Sequence, residues 1–356
     1  MFSELQRIDQ LGLCCRLHAG RTLSGVVITN KILLVACLML GFLTPYVAAA
    51  SKQQGKSEAE KQKNFLFKMP VWVAGANVAW EQTLHAENFS LTDGKIPIDI
   101  DGVQGPSSPM LLFLAFDTVG EINNVDQARN GVKAELNALD PQVWVGLISA
   151  QEQLGILQEP TSDRPLLKEK IDILTQIGRA GLLESILPLA DLTSSILLKT
   201  QVRVASIVIT DSDIGNYRAD YLNPPVNTSD SRDLSRKFAG RALQDKISRM
   251  TLALARYQAP IFIVHIDPGN DALNRSYHNG LKQLAEAAGG QCFLSKTVGD
   301  IGPSIREAFY WAKSFYLVGF HLSEGKKGFK RIDMEIKNSP TPGPLRLIHP
   351  GRVFVP

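Results

Sequence analysis

The chain has 356 residues, 44% of them hydrophobic and 21% charged, with a formal net charge of +3. That length allows one large domain with an accessory piece, and the composition supports a real core. A charge this small gives no electrostatic case for a nucleic-acid partner or for a strongly anionic membrane surface.

The N-terminal stretch carries Arg7, Arg16, Arg21 and Lys31, followed by an apolar run over 32–43 (ILLVACLMLGFL) and the small residues Ala48, Ala49 and Ala50. A basic start, a short apolar core and an A-x-A end form the pattern of a secretory signal peptide over 1–50, with cleavage before Ser51. The run falls short of the about 20 apolar residues that a spanning helix needs. The basic stretch before Lys31 is long, so an uncleaved N-terminal anchor stays open as the one route to a membrane. Residues 34–37 (LVAC) have the shape of a lipoprotein box, but the apolar run continues beyond Cys37, which argues against lipidation. The expectation is an exported protein, in the periplasm, in the envelope or secreted. Cys14, Cys15 and Cys37 lie in the leader, which leaves Cys292 alone in the mature chain, unable to form an internal disulfide.

Residues 51–64 are polar and charged and read as a disordered linker. Residues 65–108 alternate weakly and are broken by Asp93-Gly94 and Asp101-Gly102, which suggests a short β-rich lead-in. From 109 to 322 the rhythm changes to alternating strands and helices. The apolar runs 110–116 (MLLFLAF), 143–149 (VWVGLIS), 202–210 (VRVASIVIT) and 260–266 (PIFIVHI) read as buried strands. Helical spacing covers 121–139, 182–198 (bent at Pro188), 242–257, 281–288 and 300–313. A short strand is expected at Phe293, and strands at 315–322, 331–337 and 345–354, so that 323–356 forms a C-terminal strand extension. Repeated βα units require a doubly wound, mostly parallel α/β sheet, whose ligands sit at the carboxyl ends of the strands. Two of these strands end in an aspartate, Asp117 and Asp211, and two carboxylates converging at that edge are the most informative constellation in the sequence.

Four further segments carry a resemblance. Residues 83–95 (TLHAENFSLTDGK) precede the first buried strand, 284–290 (LAEAAGG) end a helix, and 315–320 (FYLVGF) and 329–332 (FKRI) lie in the tail. In this order they resemble the exported bacterial family of von Willebrand factor A (VWA)-related domains. The resemblance implies a VWA/Rossmann-like fold and a metal-ion-dependent adhesion site with the pattern Asp-x-Ser-x-Ser, a Thr on a middle loop, and a final Asp. Hard oxygen ligands on three loops suit Mg²⁺. Asp117 matches the first aspartate and Asp211 the last. The two serine positions fall on Val119 and Glu121, and the threonine position falls near Ala180. Three hydroxyl ligands are therefore missing, and only Glu121, Asp213 or water remain to replace them. The site reads as degenerate, with no cofactor expected; the alternative is a Mg²⁺-dependent adhesion module using Asp117 and Asp211. Without a cation the two aspartates repel, raising one pKa, or are partly solvated, or are satisfied by backbone amides at the helix N-terminus that follows Asp117.

A long polar stretch, 212–237, follows Asp211 and is read as a partner-binding loop for a protein ligand through Asn216, Tyr217, Arg218, Tyr221 and Arg232. An enzyme is not expected. His265 lies inside an apolar strand, and G-x-S-x-G, H-E-x-x-H and P-loop motifs are absent. Metal-assisted hydrolysis by the paired aspartates remains as a weaker alternative, because no base or nucleophile accompanies them.

Overall fold

The computed structural model describes residues 64–74, 84–176, 178–213, 232–267, 272–323, 327–337 and 345–356. The signal peptide and most of the linker lie outside the described residues. In chain order the elements are β1 (Asn64–Ala74), β2 (Phe89–Asp93), β3 (Ile96–Ile98), β4 (Ile100–Gln104), β5 (Met110–Asp117), α1 (Ile122–Asn137), β6 (Val143–Ser149), β7 (Gly155–Thr161), α2 (Arg164–Asp172) and α3 (Leu182–Lys199). They continue with β8 (Arg203–Thr210), α4 (Arg232–Leu254), β9 (Ile261–His265), α5 (Ala272–Ala287), β10 (Cys292–Leu294) and α6 (Ile301–Lys313). Last come β11 (Tyr316–Ser323), β12 (Gly328–Arg331), β13 (Asp333–Ile336), β14 (Arg346–Ile348) and β15 (Arg352–Val355).

The central sheet has the order β10-β9-β8-β5-β6-β7, parallel except for the antiparallel edge pair β6–β7. Counted from β5, this is the doubly wound order 3-2-1-4-5-6, with an antiparallel edge strand of the kind such sheets tolerate. The expected α/β fold is the observed one. Every residue of β5 and β8 is buried, as continuous apolar runs require when helices cover both faces. Helix α1 buries Val125, Ala128, Val132 and Leu136, the stripe expected at helical spacing.

Around β1 and β11 a second β layer forms, with its own core. One sheet runs β14-β1-β11-β4, and β13-β2-β3 and β12-β15 complete it. Strand β1 divides its side chains by the period of two: Phe67, Met69, Val71 and Val73 enter the β-layer core, whereas Trp72 packs into the α/β core. On that same face Lys68 reaches the end of α3. Strand β11 pairs with both β1 and β4, so the boundary expected at 322 falls inside the β layer. The lead-in and the C-terminal extension therefore share one core through β1 and β11, because the apolar alternation of 316–322 matches that of 65–71 in antiparallel register.

Two elements have no counterpart in the sequence reading. Strand β7 (GILQEPT) and helix α2 lie between the second strand and α3. Strand β7 is only partly buried and carries Pro160, and its pairing with β6 has register shifts. Those are the marks of a blunted edge strand, which lacks the apolar run of a central one. Of the stretch 212–237 expected as a loop, residues 232–237 are helical, because α4 begins at Arg232.

Candidate functional site

The strand order reverses between β5 and β8, which is where doubly wound sheets open a crevice at their carboxyl ends. Asp117 is the last residue of β5 and pairs in register with Thr210; Asp211 follows directly. The structure thus brings the two predicted aspartates to the two sides of one switch point. Both are buried, at 0% and 3% exposure, so their partners decide what they can do.

Asp117 accepts on Oδ1 from the Gly181 amide (2.7 Å), and on Oδ2 from the Leu182 amide (3.2 Å) and the Thr210 hydroxyl (2.8 Å). Gly181 and Leu182 are the N-cap and first residue of α3, so the carboxylate sits at the positive end of an 18-residue helix. Glycine is required at 181, because a Cβ there would lie 2.4 Å from the Glu152 amide nitrogen and 2.5 Å from the Ala150 carbonyl oxygen. Asp211 accepts from the Val119 amide on Oδ1 (2.9 Å) and from the Gly120 amide on Oδ2 (2.8 Å). The sequence reading offered the amides after Asp117 to both aspartates. In the structure they serve Asp211, and Asp117 turns to the opposite helix. The crossing follows from the register: the turn after β5 folds over the end of β8.

Burial is the main force raising both pKa values. It carries Asp117 to about 7, with the Asp211 charge adding to the rise and the donors from Gly181, Thr210 and Leu182 opposing it. Asp211 is also raised by burial, with the Val119 and Gly120 amides opposing and the nearby Asp267 adding.

A chain of hydroxyls extends inward from Asp117. Thr210 Oγ1 lies 2.7 Å from Ser212 Oγ, which lies 2.6 Å from the hydroxyl of the fully buried Tyr277. Threonine has one hydroxyl proton. With that proton on Asp117, Ser212 donates to Thr210 and Tyr277 donates to Ser212. Burial raises the Tyr277 pKa and keeps the phenol protonated. His265 is held by the Ser212 carbonyl 2.8 Å from Nε2, with the His278 ring 4.5 Å away, and burial lowers its pKa. It is a core histidine, as expected from its strand. Thr210, Ser212, Tyr277 and Gly181 were not among the expected site residues; the register of β5 with β8, the start of α3 and helix α5 bring them together.

The other predicted site residues are placed differently. Glu121 is exposed at the N-cap of α1, where its side chain makes no capping bond, so it does not turn inward to replace a missing hydroxyl. Asp213 is half-buried and near enough to act on the ionisation of His265 and Tyr277. Ala180 is buried and carries no oxygen on its side chain. Among the described residues no group of three or more His, Cys, Asp or Glu is arranged to hold a metal ion. Asn216, Tyr217, Arg218 and Tyr221 lie outside the described residues, and Arg232 opens α4. On the same edge a cavity of about 220 Å³ is lined by Phe116, Thr118, Gln151, Leu157, Lys170 and Ile173. Ile173 on its wall is 63% exposed, and Ile122, at the start of α1, is 50% exposed. No described helix is long and apolar enough to cross a membrane.

No protein-family model matches the chain, and no curated protein does. Similar solved structures include von Willebrand factor type A domains. One is a von Willebrand factor type A protein from Catenulispora acidiphila, at 9% identity over 84% of this chain and 74% of that one, with a TM-score of 0.41. Another is the vWF domain of the type V pili tip protein Mfa5 from Porphyromonas gingivalis, at 14% identity over 57% and 94%, with a TM-score of 0.39. A third is proximal thread matrix protein 1 from the mussel byssus with a zinc-occupied MIDAS motif, at 13% identity over 63% and 50%, with a TM-score of 0.38. The fold rests on the strand order above.

Proposed function

We propose that this chain is an exported, non-catalytic protein-interaction module of VWA type that works without a bound cation. The observation that carries the reading is the donor set of Asp117 and Asp211: each of their four oxygens already accepts from a backbone amide, and one also from Thr210. Mg²⁺ would have to share these oxygens with their donors and find further hard ligands, where Val119 and Ala180 supply none and Glu121 faces solvent. The backbone takes the place of the ion and its hydroxyl ligands. A non-catalytic role is supported by the nucleophile and base candidates. The Cys292 thiol is pushed up to about 12 by burial, and His265 is 1% exposed with Nε2 on the Ser212 carbonyl. The interaction surface is the carboxyl edge, which carries the 220 Å³ cavity with the exposed Ile173 on its wall, and the exposed Ile122 at the start of α1.

The reading is tested by calorimetric titration of the mature chain with Mg²⁺, Mn²⁺ and Ca²⁺, paired with capture of partners from envelope extract in chelator and in Mg²⁺. No saturable heat, and equal recovery of one saturable partner in both buffers, are expected. Saturable cation binding that disappears in Asp117→Ala, or recovery only with Mg²⁺, would restore the cation-dependent reading.

A further inference from the structure

At the opposite, amino-terminal edge of the central sheet, the β layer and the ends of α4 and α5 enclose a cleft of about 260 Å³. Its walls include Arg256, Gln258, Gln283, Glu286, Pro350 and Arg352. The two arginines are mounted on one aromatic stack. The Arg256 guanidinium lies 4.6 Å over the Phe354 ring, Phe354 meets Phe329 edge-on at 5.2 Å, and Arg352 lies 5.1 Å over Phe329. Stacking fixes the planes of both guanidinium groups and leaves their N–H edges free to bond. Among the described residues neither is within ion-pair distance of a carboxylate, unlike Arg129 and Arg331. The third cation of the cleft, Lys68, is already committed to the Leu197 and Thr200 carbonyls.

We infer that this cleft binds the carboxylate side chain of an acidic peptide segment, through bidentate contacts with Arg256 and Arg352. The stack presents two planar donor forks, the geometry that matches a carboxylate. The volume is below the range of small-molecule pockets and suits one or two side chains. Pro70 and Phe354 offer apolar surface to the stem of such a side chain, and Glu286 on the same wall disfavours a doubly charged phosphate. Strand addition is not available here: Pro70 lacks an amide proton and the Lys68 amide is taken by Gln258 Oε1 at 2.6 Å. The site is separate from the carboxyl edge, so it stands whether or not the aspartates bind an ion.

The test is fluorescence anisotropy on the mature chain with a labelled peptide Ac-GELELEG and its glutamine counterpart Ac-GQLQLQG, with glutarate and inorganic phosphate as competitors. The acidic peptide is expected to bind at least about tenfold more tightly than the glutamine peptide, and to lose about tenfold in the double variant Arg256→Ala, Arg352→Ala. Glu286→Gln, which leaves the stack intact, is expected to tighten binding and guards against a double variant that fails to fold. Glutarate is expected to compete better than phosphate. Equal binding of the two peptides, no binding, an unchanged folded double variant, no gain in Glu286→Gln, or better competition by phosphate would each overturn the assignment.

Discussion

Helix α3 holds a buried anion at one end and a buried cation at the other, and the two ends are best understood together. At its N-terminus the Gly181 and Leu182 amides bind Asp117. At its C-terminus the Leu197 and Thr200 carbonyls bind the Lys68 ammonium, at 2.9 and 2.5 Å. Both pairings follow the helix dipole. They do different jobs: the anion end closes the switch point of the central sheet, whereas the cation end ties β1 and the β layer to the α/β domain. Arg203 extends the second theme, donating to the carbonyls of Pro106, Ser108, Lys313 and Phe315 from the start of β8. Across the described residues these deeply buried charges meet backbone groups rather than opposite side-chain charges. The lesson concerns the aspartates. A pair of buried carboxylates in this protein calls for amides, and the amides are there.

The comparison is open to attack, and the largest effect is expected at Arg203. Burial lowers its pKa to about 10, but the charge is retained at neutral pH and four carbonyls depend on it. Arg203→Met should cost about 3–5 kcal/mol in urea unfolding. A loss below about 1 kcal/mol would show that water replaces the guanidinium at little cost.

At the anion end, Asp117→Ala leaves two amides and the Thr210 hydroxyl without their acceptor, and a loss of about 3 kcal/mol is expected. The milder Asp117→Asn exposes the sign of the pH dependence. The native pKa of Asp117 lies near 7, above its unfolded value of 3.8, so its protonated form favours the fold. That contribution is fully present below about pH 4 and is lost as pH rises through about 7. The stability of the wild type relative to Asp117→Asn should therefore grow as pH falls from 8 to 5. A difference that stays flat, or shrinks, across that range would mean that the α3 amides outweigh burial and keep Asp117 ionised throughout.

The smallest effect is expected at the cation end. Lys68→Met keeps an apolar stem between the layers but leaves the Leu197 and Thr200 carbonyls without a donor, at a cost of about 1–2 kcal/mol. Thermal unfolding followed by far-UV circular dichroism and by the fluorescence of Trp72, which sits on β1 against the α/β core, would show whether the seam loosens. A cost equal to that of Arg203→Met would remove the ranking.

Much of this was legible in the sequence, for reasons that can be located. The apolar runs ending at Asp117 and Asp211 announce central strands and place two carboxylates at one edge, since strand burial on both faces leaves no other pattern. Strand β7 was hidden because an edge strand with Glu159 and Pro160 does not follow the apolar rule. The partition of the chain was misdrawn at 322 because β11 carries the same apolar rhythm as a central strand, and only its antiparallel register with β1 assigns it to the other layer. The site was half legible. The loss of hydroxyls at Val119, Glu121 and Ala180 could be read directly, but backbone donors carry no sequence signature, so neither the division of amides between the aspartates nor the Thr210–Ser212–Tyr277 chain could be.

The central claim is that backbone amides hold Asp117 and Asp211 in the place of a cation. Its most direct test is the amide NMR of Val119, Gly120, Gly181 and Leu182, recorded in chelator and then in millimolar Mg²⁺. The account predicts four downfield, exchange-protected amides whose shifts and protection do not change with the ion. Mg²⁺-dependent shifts with loss of protection at these four amides would contradict it.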